Sequence, residues 1–465
     1  MMSKAKRTLL VVMSTITSIP LAAQEDADRI PADALRLSNE ATEAVTVRST
    51  DITAYVEVGI DTVMARAPAR APASHSRNDR VNARSAFDIR AQQRTDSGMS
   101  FYISGRGSVT AGPLDESMST KRLDLREAFV SQVDGNGLVW KVGRVNLRNG
   151  VALGYNPTDF FRANTVVDNT TRDPVSLRES RLGTYMLDLQ RIGESGSVQA
   201  VVAPRVVTNT KGLDDQPSAG LAASRTNASN RFLLRFVRDF GVDLSPEFLL
   251  FKESGRDPKI GASITRALGQ QATWYAEWTA GKRERPIDAA VRFGAATGDL
   301  PQSSLRLLSG EDRRMAHELV LGGSWANASN LSVNLEFHFN QNGLSRNEWK
   351  DMFDSRVAGQ LVPASLVRYA RDYASVFQEP LARRSVFTRA QWEDIWVRGL
   401  SVVALGNFNV DDRSTLFQLS LDYRLDASQR IRATWQTNVG RGASQYGSLP
   451  IRQAISLTYV AYLPQ

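Results

Sequence analysis

Arginines and acidic residues gather between residues 143 and 183, in a segment that also carries the turn-forming pairs Asn156-Pro157 and Asp173-Pro174. Guanidinium groups bind carboxylates and phosphates through two parallel hydrogen bonds. The spacing predicts a loop that holds anionic groups at a constriction. Its candidate residues are Arg144, Arg148, Asp159, Arg162, Arg178, Glu179 and Arg181.

The same cluster has a purely structural interpretation. Arg178, Glu179 and Arg181 would then only fasten the loop to the body of the protein, because charged clusters that perturb one another often serve structure rather than binding. The sequence alone leaves both interpretations open.

Metal and thiol chemistry receive no support. The chain has 465 residues without a cysteine, and its three histidines, His75, His317 and His338, lie far apart without the HExxH spacing of zinc enzymes. A Ser-His hydrolase with His338 or His317 as the base is the alternative enzymatic hypothesis, but the sequence has no GxSxG motif. We therefore expect no metal, no cofactor and no enzymatic activity.

The elements that position these residues follow a period of two. Apolar and polar residues alternate at 331–340, 273–280, 417–424 and 430–439, which places all apolar side chains of a strand on one face. Segments of about 10 to 13 residues exceed the usual strand of about five or six and suit a tilted crossing of an outer membrane. The pattern predicts an all-β fold, a transmembrane antiparallel up-and-down β-barrel.

Strand number follows from the connections. About 17 alternating segments are recognisable, whereas bacterial single-chain barrels have an even number of strands. Short connections alternate with long ones only if one more strand lies at 384–393. We therefore predict about 18 strands, with 16 as the alternative, long external loops, and a helical segment at 348–379 in one of these loops.

The N-terminus indicates export. Lys4, Lys6 and Arg7 precede an apolar stretch that ends at Ala22-Ala23, the order of a secretory signal peptide. We predict a signal peptide at 1–23, a flexible periplasmic lead at 24–50 and the barrel at 51–465. The expected location is the bacterial outer membrane, with its lipids and its assembly machinery as partners.

A closed barrel of this size encloses a water-filled lumen, so its inward polar residues would line a pore. The strand phases assign Arg122, Asp124, Arg126, Arg235, Glu277, Glu336, His338, Asp422, Arg424, Arg430 and Arg432 to the lumen. Their arginine surplus predicts a preference for polar or anionic solutes. Alternatively, these charges only solvate a wide pore.

Several short motifs carry a family resemblance. Gly143-Arg144 with the later Asn156-Pro157-Thr158-Asp159, the segment 409–414, and Gly440 with 444–447 resemble uncharacterised porin-like outer-membrane barrels and, more loosely, alginate-export-type barrels. The resemblance implies a passive channel without catalytic residues.

Two functions from other classes remain as alternatives to a channel: an outer-membrane barrel hydrolase and a secreted structural β protein. Binding of nucleic acid is not expected, because lysines and arginines are spread along the chain rather than gathered in one basic tract.

Overall fold

A computed structural model of the chain describes residues 50–66, 80–112, 115–166, 171–207, 212–213, 219–220, 223–240, 244–308, 313–353, 356–357, 360–361 and 364–463. The predicted signal peptide and nearly all of the predicted periplasmic lead, 1–49, lie outside these residues.

The described chain forms eighteen long strands. They are β1 (Thr50–Ala65), β2 (Arg80–Arg94), β3 (Met99–Gly112), β4 (Asp115–Val133), β5 (Leu138–Val145), β6 (Thr184–Gly193), β7 (Gly196–Ala203), β8 (Arg231–Arg238), β9 (Leu244–Glu253), β10 (Lys259–Leu268), β11 (Ala272–Arg283), β12 (Arg314–Ala326), β13 (Leu331–Asn340), β14 (Arg384–Trp392), β15 (Leu400–Asn409), β16 (Ser414–Arg424), β17 (Gln429–Val439) and β18 (Ile451–Tyr462).

Each strand pairs antiparallel with its neighbours in the sequence, and β18 pairs with β1, so the sheet closes into a barrel. A two-residue strand, Ala219–Gly220, adds a parallel pairing to β4 at the level where β5 has already ended. Closure removes the sheet edges, and the backbone groups of the ladder satisfy one another. The predicted strand at 384–393 is β14, and the predicted total of about 18 is confirmed.

The alternation of residues separates the two surfaces of the wall. In β13, Leu335 is 58% exposed on the outside while its neighbour Glu336 is 1% exposed on the inside. The same contrast of exposed large apolar residues with inward polar ones recurs around the barrel, for example at Ile60, Phe101, Leu250, Leu321 and Leu457. The outside of this protein is therefore apolar and much of its inside is polar.

The two ends of the barrel differ. At the turn end, successive strands are joined by short segments such as 134–137, 194–195, 269–271 and 425–428, and β1 begins and β18 ends there. At the loop end, much longer segments occur, including 146–183, 204–230, 284–313 and 341–383. This is the predicted alternation of tight turns and long loops.

The described parts of the long segments contain six short helices: α1 (Pro174–Glu179), α2 (Ala223–Thr226), α3 (Pro286–Thr297), a 3-10 helix (Gln302–Leu307), α4 (Arg346–Phe353) and α5 (Ala364–Phe377). α5 lies within the predicted helical segment 348–379, and α4 begins two residues before it. Between the two helices the segment is not helical throughout, because Arg356–Val357 pairs antiparallel with Gln360–Leu361. Val291 of α3, Trp349 of α4 and Leu366 of α5 are buried in one apolar cluster, so these loops pack together over the loop end. None of the described helices has the length and apolar character of a membrane span.

Candidate functional site: the inward loop and the charged interior

The segment between β5 and β6, residues 146–183, folds into the barrel, and we call it the inward loop. Its backbone reaches the inner face of β11 on another side of the barrel. Val151 and Ala152 donate their N–H groups to Glu277 Oε1 at 2.5 and 2.7 Å, and the Thr158 hydroxyl donates to Glu277 Oε2 at 2.8 Å. The loop therefore occupies the lumen at this level, which the sequence had left undecided.

A second carboxylate binds the next two backbone amides of the inward loop. Glu336 of β13 accepts the N–H groups of Leu153 and Gly154 at 2.6 and 2.9 Å, the Tyr275 hydroxyl at 2.6 Å, and a contact of 2.7 Å from His338 Nε2. Glu277 and Glu336 thus bind four consecutive backbone amides, 151–154, and we call the pair the carboxylate clamp. Buried carboxylates are stable when donors surround them in this way.

Arg178 ties the inward loop to itself. Its guanidinium donates to the carbonyl oxygens of Ala152 and Gly150, both at 3.2 Å, and of Asn149 at 3.4 Å. Burial lowers the pKa of Arg178 below its ordinary value. Three carbonyl acceptors from one chain segment are the arrangement of a structural staple.

Other members of the predicted constriction cluster also bond within the protein. Arg181 pairs with Asp159, Arg144 donates to the Gly183 carbonyl at 3.0 Å, and Arg162 donates to the Tyr155 hydroxyl at 2.6 Å. These contacts favour the structural interpretation of the cluster over an anion-binding role for it. The two members that are exposed are Arg148 and Glu179.

The loop also packs through apolar contacts that the sequence did not predict. The rings of Phe160 and Phe251 stack at 4.7 Å, and Phe161 meets Phe251 edge to face. Leu233 and Leu249, on the inner faces of β8 and β9, belong to the same buried cluster. These strands carry apolar residues on both faces, so their alternation is weak and conceals the surface against which the loop packs.

Most lumen candidates lie inside the barrel in charge pairs. The pairs are Arg126 with Asp88 at 2.6 Å, Arg235 with Glu247 at 2.9 Å, Arg432 with Asp422 at 2.7 Å and Arg122 with Asp124 at 3.3 Å. Arg430 lies over the Tyr462 ring, and Arg424 is exposed near the turn end. In these pairs a neighbouring carboxylate balances the charge of each arginine. The predicted surplus of arginine therefore applies only to parts of the interior.

Two of the acidic partners in these pairs, Asp88 and Glu247, were not predicted from the sequence. Asp88 and Glu247 come into contact with their arginines only through the strand register, which a single sequence does not give. The period of two could have identified them as inward residues, but not their partners.

His338 lies in the clamp rather than in an open catalytic site. Its Nε2 contacts Glu336, and its Nδ1 is 3.4 Å from the Ser385 hydroxyl. The imidazole is buried near the rings of Tyr155 and Phe387, beneath the inward loop. His317, the other base considered, is exposed and stacks on Trp278. Across the described ranges no group of three or more His, Asp or Glu residues is placed to hold a metal ion.

A cavity of about 290 Å³ opens between the inward loop, α2, α3, the end of α5 and the loop-end part of β8–β12. We call it the vestibule. Its cationic lining residues are Arg162, Arg225, Arg231, Arg256, Lys259 and Arg283, and its acidic ones are Asp159, Glu253, Glu318 and Glu379. Phenyl rings complete the lining, including those of Phe160 and Phe251. None of its residues except Arg162 and Asp159 was predicted as part of a site.

Some guanidinium groups that line the vestibule have nitrogen atoms without a hydrogen-bond acceptor. Buried Arg225 Nη1, Arg231 Nε and Arg283 Nη2 have no hydrogen-bond partner within the described part of the chain. Burial, together with the positive charge of Arg122, lowers the pKa of Arg225 to about 10. An anion in the vestibule would supply the missing acceptors.

Comparisons with known proteins give a fold but not a sequence family. No protein-family model matches the chain, and no curated protein is similar to it. Among solved structures, OccAB1 of Acinetobacter baumannii is similar with a TM-score of 0.50 and 11% identity, over 90% of this chain and 97% of that chain. OpdL of Pseudomonas aeruginosa has a TM-score of 0.49 and 12% identity, over 90% and 99% of the two chains.

The closed 18-stranded barrel with its apolar exterior is the fold of bacterial outer-membrane porins. The chain therefore has a porin-like β-barrel fold, and the apolar band on its outer surface is the kind of surface that faces lipid in such barrels.

Proposed function

We propose that the protein is a passive channel for small polar or anionic solutes. The closed barrel supplies a route through the membrane, the inward loop narrows it, and the vestibule at the loop end attracts anions. One observation supports the anionic preference. Arg225, Arg231 and Arg283 all line the vestibule, and each has a buried guanidinium nitrogen without a hydrogen-bond acceptor among the described residues.

The proposal includes no enzymatic activity. A Ser-His hydrolase would need an accessible hydroxyl that its base can deprotonate. Among the described residues, the contacts suggest one such pair, Ser385 and His338, which is buried under the inward loop. The acid next to it, Glu336, is occupied by the loop amides. We propose further that the chain reaches the membrane through a cleaved signal peptide and the outer-membrane assembly machinery.

Uptake into proteoliposomes tests the anionic preference. We expect a small dicarboxylate to enter faster than a neutral sugar alcohol of the same size. Replacement of Arg225 and Arg283 by glutamine should reduce this ratio several-fold, because each removes a charge from the vestibule. Arg238→Gln, which changes an exposed residue near the turn end, is the matched control. Equal uptake of both solutes by the unmodified protein would contradict the preference.

A further inference from the structure

The inward loop covers only part of the inner wall. Its Arg172 N–H donates to Gln418 Oε1 of β16 at 2.8 Å, and Gln418 is 1% exposed. Two residues nearer the turn end, Ser420 of β16 is partly exposed, as is Thr434 of β17, although both face inward, and the Arg432 side chain is 43% exposed. Space for water and solute therefore lies beside β17 and the turn-end part of β16.

The edge of the inward loop toward this space is α1. At its start, the Asp173 carboxylate accepts a hydrogen bond from Arg389 Nε of β14 at 2.9 Å. At its end, the Arg178 carbonyl accepts the Asn146 side-chain amide, next to the end of β5, at 3.0 Å. The helix thus crosses the interior from β14 to β5, and its last residue, Glu179, is exposed.

A basic residue on the wall lies close to this helix end. The Asn146 N–H donates to Glu127 Oε1 at 3.0 Å, and the strand register places Glu127, Ser104 and Arg90 side by side on β4, β3 and β2. Two strand spacings separate Glu127 from Arg90, about 10 Å. The Arg90 side chain is 39% exposed and lies 3.7 Å from Asp88 of its own strand. The charge of Asp88 and, more weakly, that of Glu179 act on it electrostatically.

We propose that solutes pass between α1 and the wall of β17, β18, β1 and β2, and that Arg90 and Glu179 determine the ion selectivity of this passage. The proposal rests on the channel function proposed above. Opposite charges on the two sides of a narrow aqueous gap create a transverse field, which sets the preference between anions and cations. The buried arginines of the predicted cluster, Arg144, Arg178 and Arg181, contribute less, because each is enclosed by the protein groups to which it is bonded.

Reversal potentials in a salt gradient test the charge pair. A unit charge about 6 Å from a passing ion in water changes its energy enough for about a threefold change in permeability. Arg90→Gln should therefore lower the anion-to-cation permeability ratio about threefold, and Glu179→Gln should raise it by a similar factor. Arg266→Gln, at an exposed position on the outward face of β10, should leave the ratio unchanged.

Cysteine accessibility tests the position of the passage, and the cysteine-free chain makes it direct. Thr434→Cys should react with a charged, membrane-impermeant thiol reagent and lose conductance. Asn334→Cys, an inward position that is 4% exposed, should react at least about tenfold more slowly, because reaction requires local opening.

The outcomes separate the two proposals. If the unmodified, folded barrel gives no ion conductance, the channel function itself fails. If it conducts while neither charge substitution moves the reversal potential, the assignment of Arg90 and Glu179 is overturned. Faster reaction and stronger block at Asn334→Cys than at Thr434→Cys would place the passage on the other side of the loop and overturn its proposed position.

Discussion

The carboxylate clamp leads to the most specific prediction, that removal of Glu336 releases the inward loop. Glu336→Ala takes away the acceptor of two loop amides, those of Leu153 and Gly154. Hydrogen bonds to a charged group contribute about 1.5–3 kcal/mol each, so about 3–6 kcal/mol of attraction between loop and wall is lost. Relief from burying a carboxylate offsets part of this loss.

A net loss of about 2–4 kcal/mol raises the population of the released loop by more than tenfold, since about 1.4 kcal/mol corresponds to a factor of ten. Limited trypsin digestion of the folded barrel measures this population, because Arg162 and Arg178 are cleavage sites that are held in place while the loop is anchored. We expect cleavage within the loop to accelerate at least about tenfold, as proteolysis follows the open population when opening is fast.

Two further variants make the experiment selective. Glu336→Gln keeps an acceptor oxygen without the charge and should show an intermediate cleavage rate. Glu194→Ala, an exposed residue of a tight turn, should leave cleavage unchanged. If the Glu336→Ala barrel stays folded and its loop is cleaved at the rate of the unmodified protein, the anchoring role of the clamp is refuted.

Three more predictions concern the loop and the wall. Arg178→Ala, which removes three bonds to loop carbonyls, should increase current noise in planar bilayers, whereas the exposed Arg148→Ala should not; equal noise in both would remove the staple role. Gly154→Val should displace the loop and enlarge the conductance, because a side chain there would collide with the Phe387 ring; an unchanged conductance would contradict that packing. Leu335→Arg, in the middle of the lipid-facing band, should cost about 2–4 kcal/mol in urea titrations of the barrel in vesicles, and a cost no larger than that of lumen-facing Gln436→Arg would mean that Leu335 does not face lipid.

The architecture was predictable because residues in a barrel wall alternate between the outer and the inner surface, which gives the sequence a period of two. Alternation in 331–340 identifies the strand, and the parity of turns and loops requires the additional strand that the structure contains as β14. Lipid-facing and inward residues of such strands could be assigned from one sequence, Leu335 and Glu336 being an example.

The site was less predictable because it depends on contacts between distant segments. Glu277 and Glu336 were correctly expected inside the barrel, but their binding to the amides of 151–154 uses backbone groups that no residue type reveals. The arginines of the inward loop suggested solute binding, and their partners in the structure are carbonyl and carboxylate groups of the protein. Arg90 was missed because, in a strand rich in charged residues, nothing in its spacing marks it.

Single-channel recording in planar bilayers tests the central claim, that this folded barrel encloses an aqueous passage beside its inward loop. We expect discrete conductance steps that grow with salt concentration, with a reversal potential that moves in opposite directions for Arg90→Gln and Glu179→Gln. Folded, membrane-inserted protein that shows no discrete steps at any salt concentration would contradict the account.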